Sequence, residues 1–204
     1  MRRLILPQQG LRHAFHLRLA LKRTRKMFIP HLDAAQIAYF TQLVSQYVAS
    51  QRAAYIGMGV PMDQAQQGLL APFFRANLAG EVRVVLQEHV VNPPFYPQLR
   101  RFGLVNLPDF SAMAAITFVD VVVSRVPLTT PLLFHELVHV VQYAELGVEA
   151  FPERYVQGFL RGGSYERIPL EMNAYELGRR FEADPRRSFS AEAEVIEWIN
   201  DGRL

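Results

Sequence analysis

The 204-residue chain contains no cysteine. That excludes a disulfide framework, thiolate ligation of zinc or iron–sulfur clusters, and thiol catalysis. A cysteine-free chain suits a reducing compartment, so the cytoplasm is the expected location. Although half of the residues are hydrophobic, no apolar run reaches the roughly 20 residues a membrane-spanning helix needs. The opening Met1-Arg2-Arg3-Leu4-Ile5-Leu6-Pro7 is too short in its apolar part to be expected to act as a secretory signal. Internal repeats and low-complexity segments are also missing, which argues against solenoids and arrays.

Acidic residues are absent from one stretch. Residues 1–30 hold eight lysines and arginines and no aspartate or glutamate. The other 174 residues keep 14 of the 22 basic residues and all 19 acidic ones, a net charge of −5. The overall charge of +3 therefore belongs to a basic N-terminal arm, 1–30, attached to an acidic body, 31–204. Leu11, Phe15 and Leu19 would line one face of a helix in that arm. Such an arm is expected either to dock on the body or lie solvated beside it, to contact an anionic surface such as a membrane or nucleic acid, or to serve in targeting. The body is of a size for a single domain with its own core.

Within the body, His135-Glu136-Leu137-Val138-His139 lies in an otherwise apolar run, with Leu132-Leu133-Phe134 before it and Val140-Val141 after. Read as a helix, His135 and His139 are roughly 40° apart around the axis, so both imidazoles share a face. Two imidazoles so placed can bind one ion at roughly 2.0–2.1 Å, and Glu136, about 100° round from His135, can reach a water beside it. A helix apolar on nearly every side is normally buried, where unpartnered imidazoles and carboxylates are costly. A metal ion supplies the missing partner. Thr129-Thr130-Pro131 provides an N-cap and a proline in the first turn, and Gly147 a C-terminal stop.

The remaining pattern predicts a long core helix over about 33–56, opened by Asp33 and Gln36 as a capping box. A second helix is expected from Asp63 to Gly80, kinked or broken at Pro72. Strands are expected at 82–86, extending toward Val90-Val91, and as one continuous element over 115–123. Asn92-Pro93-Pro94 and Pro97 mark a loop between them. Residues 148–161 read as partly helical, Pro169 opens a helix to about Phe181, and Ala191–Asn200 forms a last helix burying Val195, Trp198 and Ile199.

Catalytic zinc commonly takes a third protein ligand. Glu145, six residues past His139, sits where metzincins place theirs, but Gln142 stands where those proteins turn the chain with glycine. On a continuing helix Glu145 lies about 240° round from His139 and faces away. Glu171 is the better candidate, because Pro169 fixes a helix start that would project it at a defined angle. Glu166, Glu149, Glu153 and His89 remain alternatives.

From His135-Glu-Leu-Val-His-Val-Val-Gln-Tyr143, through Phe151, Tyr155 and Tyr165, to Pro169-Leu170-Glu171 with Ala174-Tyr175, the chain resembles small bacterial zincin-like metallopeptidases of gluzincin type. The resemblance spans about 115–182 and is most specific in the H-E-x-x-H helix. It implies that His135, His139 and Glu171 bind zinc, that Glu136 is the general base, and that the substrate is a peptide or protein. Two positions depart from the pattern. Asn173 replaces the second glutamate of Pro-Leu-Glu-x-Glu-Ala, and Tyr175 stands where larger gluzincins carry an aspartate that supports a histidine.

The expected architecture is therefore α+β and zincin-like: a small twisted sheet packed on the H-E-x-x-H helix, with a downstream helix delivering Glu171. The expected activity is zinc-dependent peptide hydrolysis with Glu136 as base, and Tyr155, Tyr165 or Tyr175 as a donor to the oxyanion. The competing expectations are a zinc-stabilised binding or scaffolding domain without turnover, and an interaction protein acting through its basic arm.

Overall fold

In the computed structural model, residue 30 and residues 32–204 are described. The expectation for the basic arm falls outside the described residues, Pro30 excepted. Helix α1, Ala34–Tyr55, starts at the predicted capping box: Asp33 Oδ1 accepts from the Gln36 amide at 2.8 Å, and Gln36 Oε1 accepts from the Asp33 amide at 2.9 Å. Asp63 and Gln66 repeat the device at the start of α2, Gln64–Leu70. The helical stretch expected over Asp63–Gly80 breaks at Pro72, as its ring and missing N–H predict. Only the short α3, Leu78–Glu81, follows before strand β1, Arg83–Leu86.

Three expectations need correction here. Val90 and Val91 do not extend β1; Val90 is buried from a loop and Val91 is exposed. The proline-marked loop gives way to helix α4, Tyr96–Arg101, because Pro97 occupies its first turn, where no N–H is required. The continuous strand over 115–123 is instead a hairpin of β2, Ala115–Phe118, and β3, Val121–Ser124. Val119 adopts φ 63° at the turn, a conformation that β-branched residues rarely take. Arg52 of α1 compensates by gripping the next residue: its Nε and Nη2 donate to the two Asp120 carboxylate oxygens at 2.6 and 2.7 Å. No glycine or asparagine signals this turn, so the β-branched run conceals it.

Strand β3 is central, parallel to β1 and antiparallel to β2. All four of its residues are buried, as a central strand in a covered sheet requires. Helix α5, Thr130–Gly162, follows, opened by Thr129 as N-cap and Pro131 in its first turn. It is interrupted at Gly147, where φ 80° and ψ 168° suit glycine alone. Beyond that break it resumes, so Gly147 is a kink as well as the predicted stop. Helices α6, Pro169–Ala183, and α7, Ala191–Asn200, complete the chain, with Val195 and Trp198 buried as expected.

Helix α5 is the hub, packing against α1, α2, α6, α7 and β2. That accounts for its apolar character on nearly every side. Phe134 stacks on Phe181 of α6 with ring centroids 4.5 Å apart, and Phe73 packs edge-on against both. The architecture is α+β, mostly helical, with one three-stranded sheet. Among the described residues no helix is long and apolar enough to cross a membrane.

Candidate metal centre

His135 and His139 emerge one turn apart from the buried first half of α5, and Glu171 emerges from the first turn of α6. The two imidazole Nε2 atoms are 3.2 Å apart. Glu171 Oε2 lies 3.5 Å from His135 Nε2 and 3.4 Å from His139 Nε2. Two atoms roughly 2.0–2.1 Å from one ion at tetrahedral angles stand about 3.3 Å from each other. All three separations fall close to that value.

Satisfaction of the polar groups gives an independent test. Glu171 Oε2 is buried and accepts no well-formed hydrogen bond; the two imidazole nitrogens, 3.4 and 3.5 Å away, face it only at ion-pair distance. A buried carboxylate oxygen left without a partner is costly. Two imidazoles and a carboxylate suit a zinc ion in both number and softness. The residues present therefore fit the ion that the H-E-x-x-H spacing suggests.

Electrostatics draw the same groups together. Burial pushes the Glu171 carboxyl up, but His139 and His135 outweigh it and hold the group well below the ordinary carboxylate range. Burial pushes His139 down, yet the charges of Glu171 and Glu136 carry it to about 9. Burial, reinforced by Glu171, also raises the phenols of Tyr143, Tyr155 and Tyr165. They remain neutral at physiological pH.

Glu136 is held from outside the helix. Thr117 of β2 donates its hydroxyl to Glu136 Oε2 at 2.7 Å, and both side chains are buried. Thr117, Glu136, His139 and Glu171 all border one cavity of about 120 Å³. Phe40 and Val44 of α1, Phe95, Phe110 and Phe159 give it a largely apolar wall. Tyr155 and Tyr165 also border it, whereas Tyr175 lies with its ring 4.6 Å from that of His135. The kink at Gly147 lets the second half of α5 return over the site, stacking Phe151 on Tyr143 at 3.6 Å and 6.3 Å from the His139 ring.

No protein-family model, curated protein or solved structure matches this chain. His135, His139 and Glu171 lie together in one cluster, and Glu136 borders the same cavity as His139 and Glu171. The alternatives Glu145, Glu149, Glu153, Glu166 and His89 are all exposed, and none belongs to the cluster. Two further residues at the site, Thr117 and Gln142, have no site role assigned from sequence. Thr117 carried a faint signal as the lone hydroxyl in the β2 run, and Gln142 as the first polar residue after the second histidine.

His139 Nδ1 faces Gln142 Oε1 at 2.9 Å. Gln142 in turn donates from Nε2 to the Leu170 carbonyl and to Asn173 Oδ1, both at 2.9 Å. Gln142, at the position where metzincins carry glycine, and Asn173, where a second glutamate was expected, are thus partners of each other.

Proposed function

We propose that this protein is a zincin-like, zinc-dependent metallopeptidase of gluzincin type. The reading is carried by the buried Glu171 Oε2, which lies without a hydrogen bond between two imidazole nitrogens, with a second buried carboxylate, Glu136, on the same cavity. His135, His139 and Glu171 would hold the ion. Zinc there supplies a Lewis acid that acidifies water and polarises a carbonyl.

Glu136 takes a proton from the attacking water and passes it to the leaving amine nitrogen. The Thr117 hydroxyl holds Oε2, leaving Oε1 as the atom that carries the proton. Neutral Tyr155 or Tyr165 at the cavity wall supplies an O–H toward the charge developing on the carbonyl oxygen. The apolar wall excludes water and receives an apolar group of the substrate. A comparable cavity of roughly 150 Å³ takes a benzene ring, so about 120 Å³ suits one aliphatic side chain better than a stretch of peptide backbone, which would lack hydrogen-bond partners there.

One observation favours the second reading, a zinc-stabilised binding domain. Glu136, His139 and Glu171 are only 4%, 6% and 3% exposed, so little of the site is open to a substrate. Glu136→Gln separates the two readings. Under the catalytic reading it keeps zinc and fold while hydrolysis of a peptide library falls on the order of 10²–10⁴-fold. A parent protein that holds zinc and cleaves nothing supports the binding domain.

A further inference from the structure

We propose that Gln142 is a positioning residue that selects the metal-binding tautomer of His139 and couples it to the backbone carrying Glu171. The inference rests on the metal-centre reading above and goes beyond it by assigning a role to a residue that contacts neither ion nor substrate.

The Leu170 carbonyl can only accept a hydrogen bond. It lies 2.9 Å from the Gln142 amide group, so the atom facing it must be Nε2. Reversing the amide would set two oxygens against each other at that distance. Asn173 Oδ1, also 2.9 Å from Nε2, adds a second acceptor on the same side. With Nε2 fixed, Oε1 is the atom 2.9 Å from His139 Nδ1. An amide oxygen accepts and never donates, so Nδ1 must carry the proton. A neutral imidazole protonated at Nδ1 has its lone pair on Nε2. That is the nitrogen 3.4 Å from Glu171 Oε2.

The chain of constraint thus runs from the Leu170 carbonyl through one amide to the ligand atom of His139. Leu170 immediately precedes Glu171, so a single side chain fixes the orientation of one ligand and grips the backbone beside another. It also spans the two helices that carry the site. Gln142 and Asn173 are both fully buried, so solvent cannot replace either contact. Asn173 Nδ2 has no hydrogen-bond partner, which leaves Asn173 acting through Oδ1, as the anchor for Gln142.

The test has two readouts. In metal-free protein at pH 10, long-range ¹H–¹⁵N spectra of the histidine side chains should show His139 protonated at Nδ1. Zinc affinity, measured against a chromophoric chelator, should fall about 10- to 100-fold in Gln142→Met, which fills the same space without hydrogen bonds. Gln142→Glu keeps an acceptor toward Nδ1 and should preserve the tautomer, while its second oxygen opposes the Leu170 carbonyl and weakens zinc binding. A proton on Nε2 in the parent, or Gln142→Met matching the parent in both readouts, overturns the proposal. Should Gln142→Met fail to fold, the parent's tautomer still decides. A parent with the Nδ1 proton that binds no zinc would refute the metal reading alone.

Discussion

The Thr117 hydroxyl donates to Glu136 Oε2 at 2.7 Å, joining the edge strand β2 to the carboxylate inside the H-E-x-x-H motif. A carboxylate on a helix has several rotamers, and only some would reach a water beside an ion held by the cluster. The strand removes that freedom. Hydrogen bonds to charged groups contribute about 1.5–3 kcal/mol, or roughly 10- to 150-fold in rate when the group acts in the transition state. Thr117→Val should therefore retain zinc and lower kcat by that order, whereas Thr117→Ser should stay close to the parent. Equal kcat in the valine variant would show that Glu136 is oriented by something else.

Metal content follows from the cluster of His135, His139 and Glu171. Purified or reconstituted protein should contain one zinc per chain by elemental analysis. Glu171→Ala should weaken binding far more than Glu145→Ala, because Glu145 is exposed and lies outside the ligand cluster. His139→Ala should also destabilise the fold, leaving the Glu171 carboxylate and Gln142 Oε1 buried without their partner. A chain that takes up no zinc on reconstitution would end the metallopeptidase reading.

The pH dependence of metal binding has a definite sign. Without the ion, the raised His139 value means that the imidazole keeps its proton up to about pH 9. Zinc must displace that proton, so affinity should rise about tenfold per pH unit from pH 7 and level off near 9. Stability of the metal-free form runs the other way. The His139–Glu171 attraction is fully present below the unfolded imidazole value of about 6.5 and is lost as pH rises through 9. On the acid side, the lowered Glu171 contributes stability above the ordinary value of 4.5 that is lost as the carboxyl protonates. Chelator competition and denaturant titrations across pH 5 to 10 would check both slopes.

How much of this was legible in the sequence depended on how local each cause is. The H-E-x-x-H helix, the Asp33–Gln36 box and the delivery of Glu171 by Pro169 all follow from spacing within one or two turns. The Val119–Asp120 turn was hidden because its support comes from Arg52, 68 positions upstream of Asp120. Thr117 and Gln142 were missed for the same reason. Their significance lies in contacts with Glu136 and with Leu170 and Asn173, across elements whose packing no local pattern encodes. The apolar cavity is assembled from α1, the loops around α4, and α5, and no single segment announces it.

The close approach of α5 to the start of α6 yields the last prediction. A Cβ added to Gly158 would lie 2.6 Å from Pro169 Cδ and 3.3 Å from Ile168 Cγ2. Neither atom yields easily, since one belongs to a proline ring and the other to a fully buried isoleucine. Relief requires the segment at Ile168-Pro169 to move away from α5, and Glu171 sits two residues beyond Pro169. Gly158→Ala should therefore lower zinc affinity as well as stability, although residue 158 is not part of the ligand cluster. Gly178→Ala, on the same α6, is the control: nothing lies within 4 Å of its added Cβ, and alanine in a helix interior is worth up to about 1 kcal/mol over glycine. That variant should bind zinc as the parent does and unfold at slightly higher denaturant. If Gly158→Ala loses stability but binds zinc with parental affinity, the position of Glu171 does not depend on this contact.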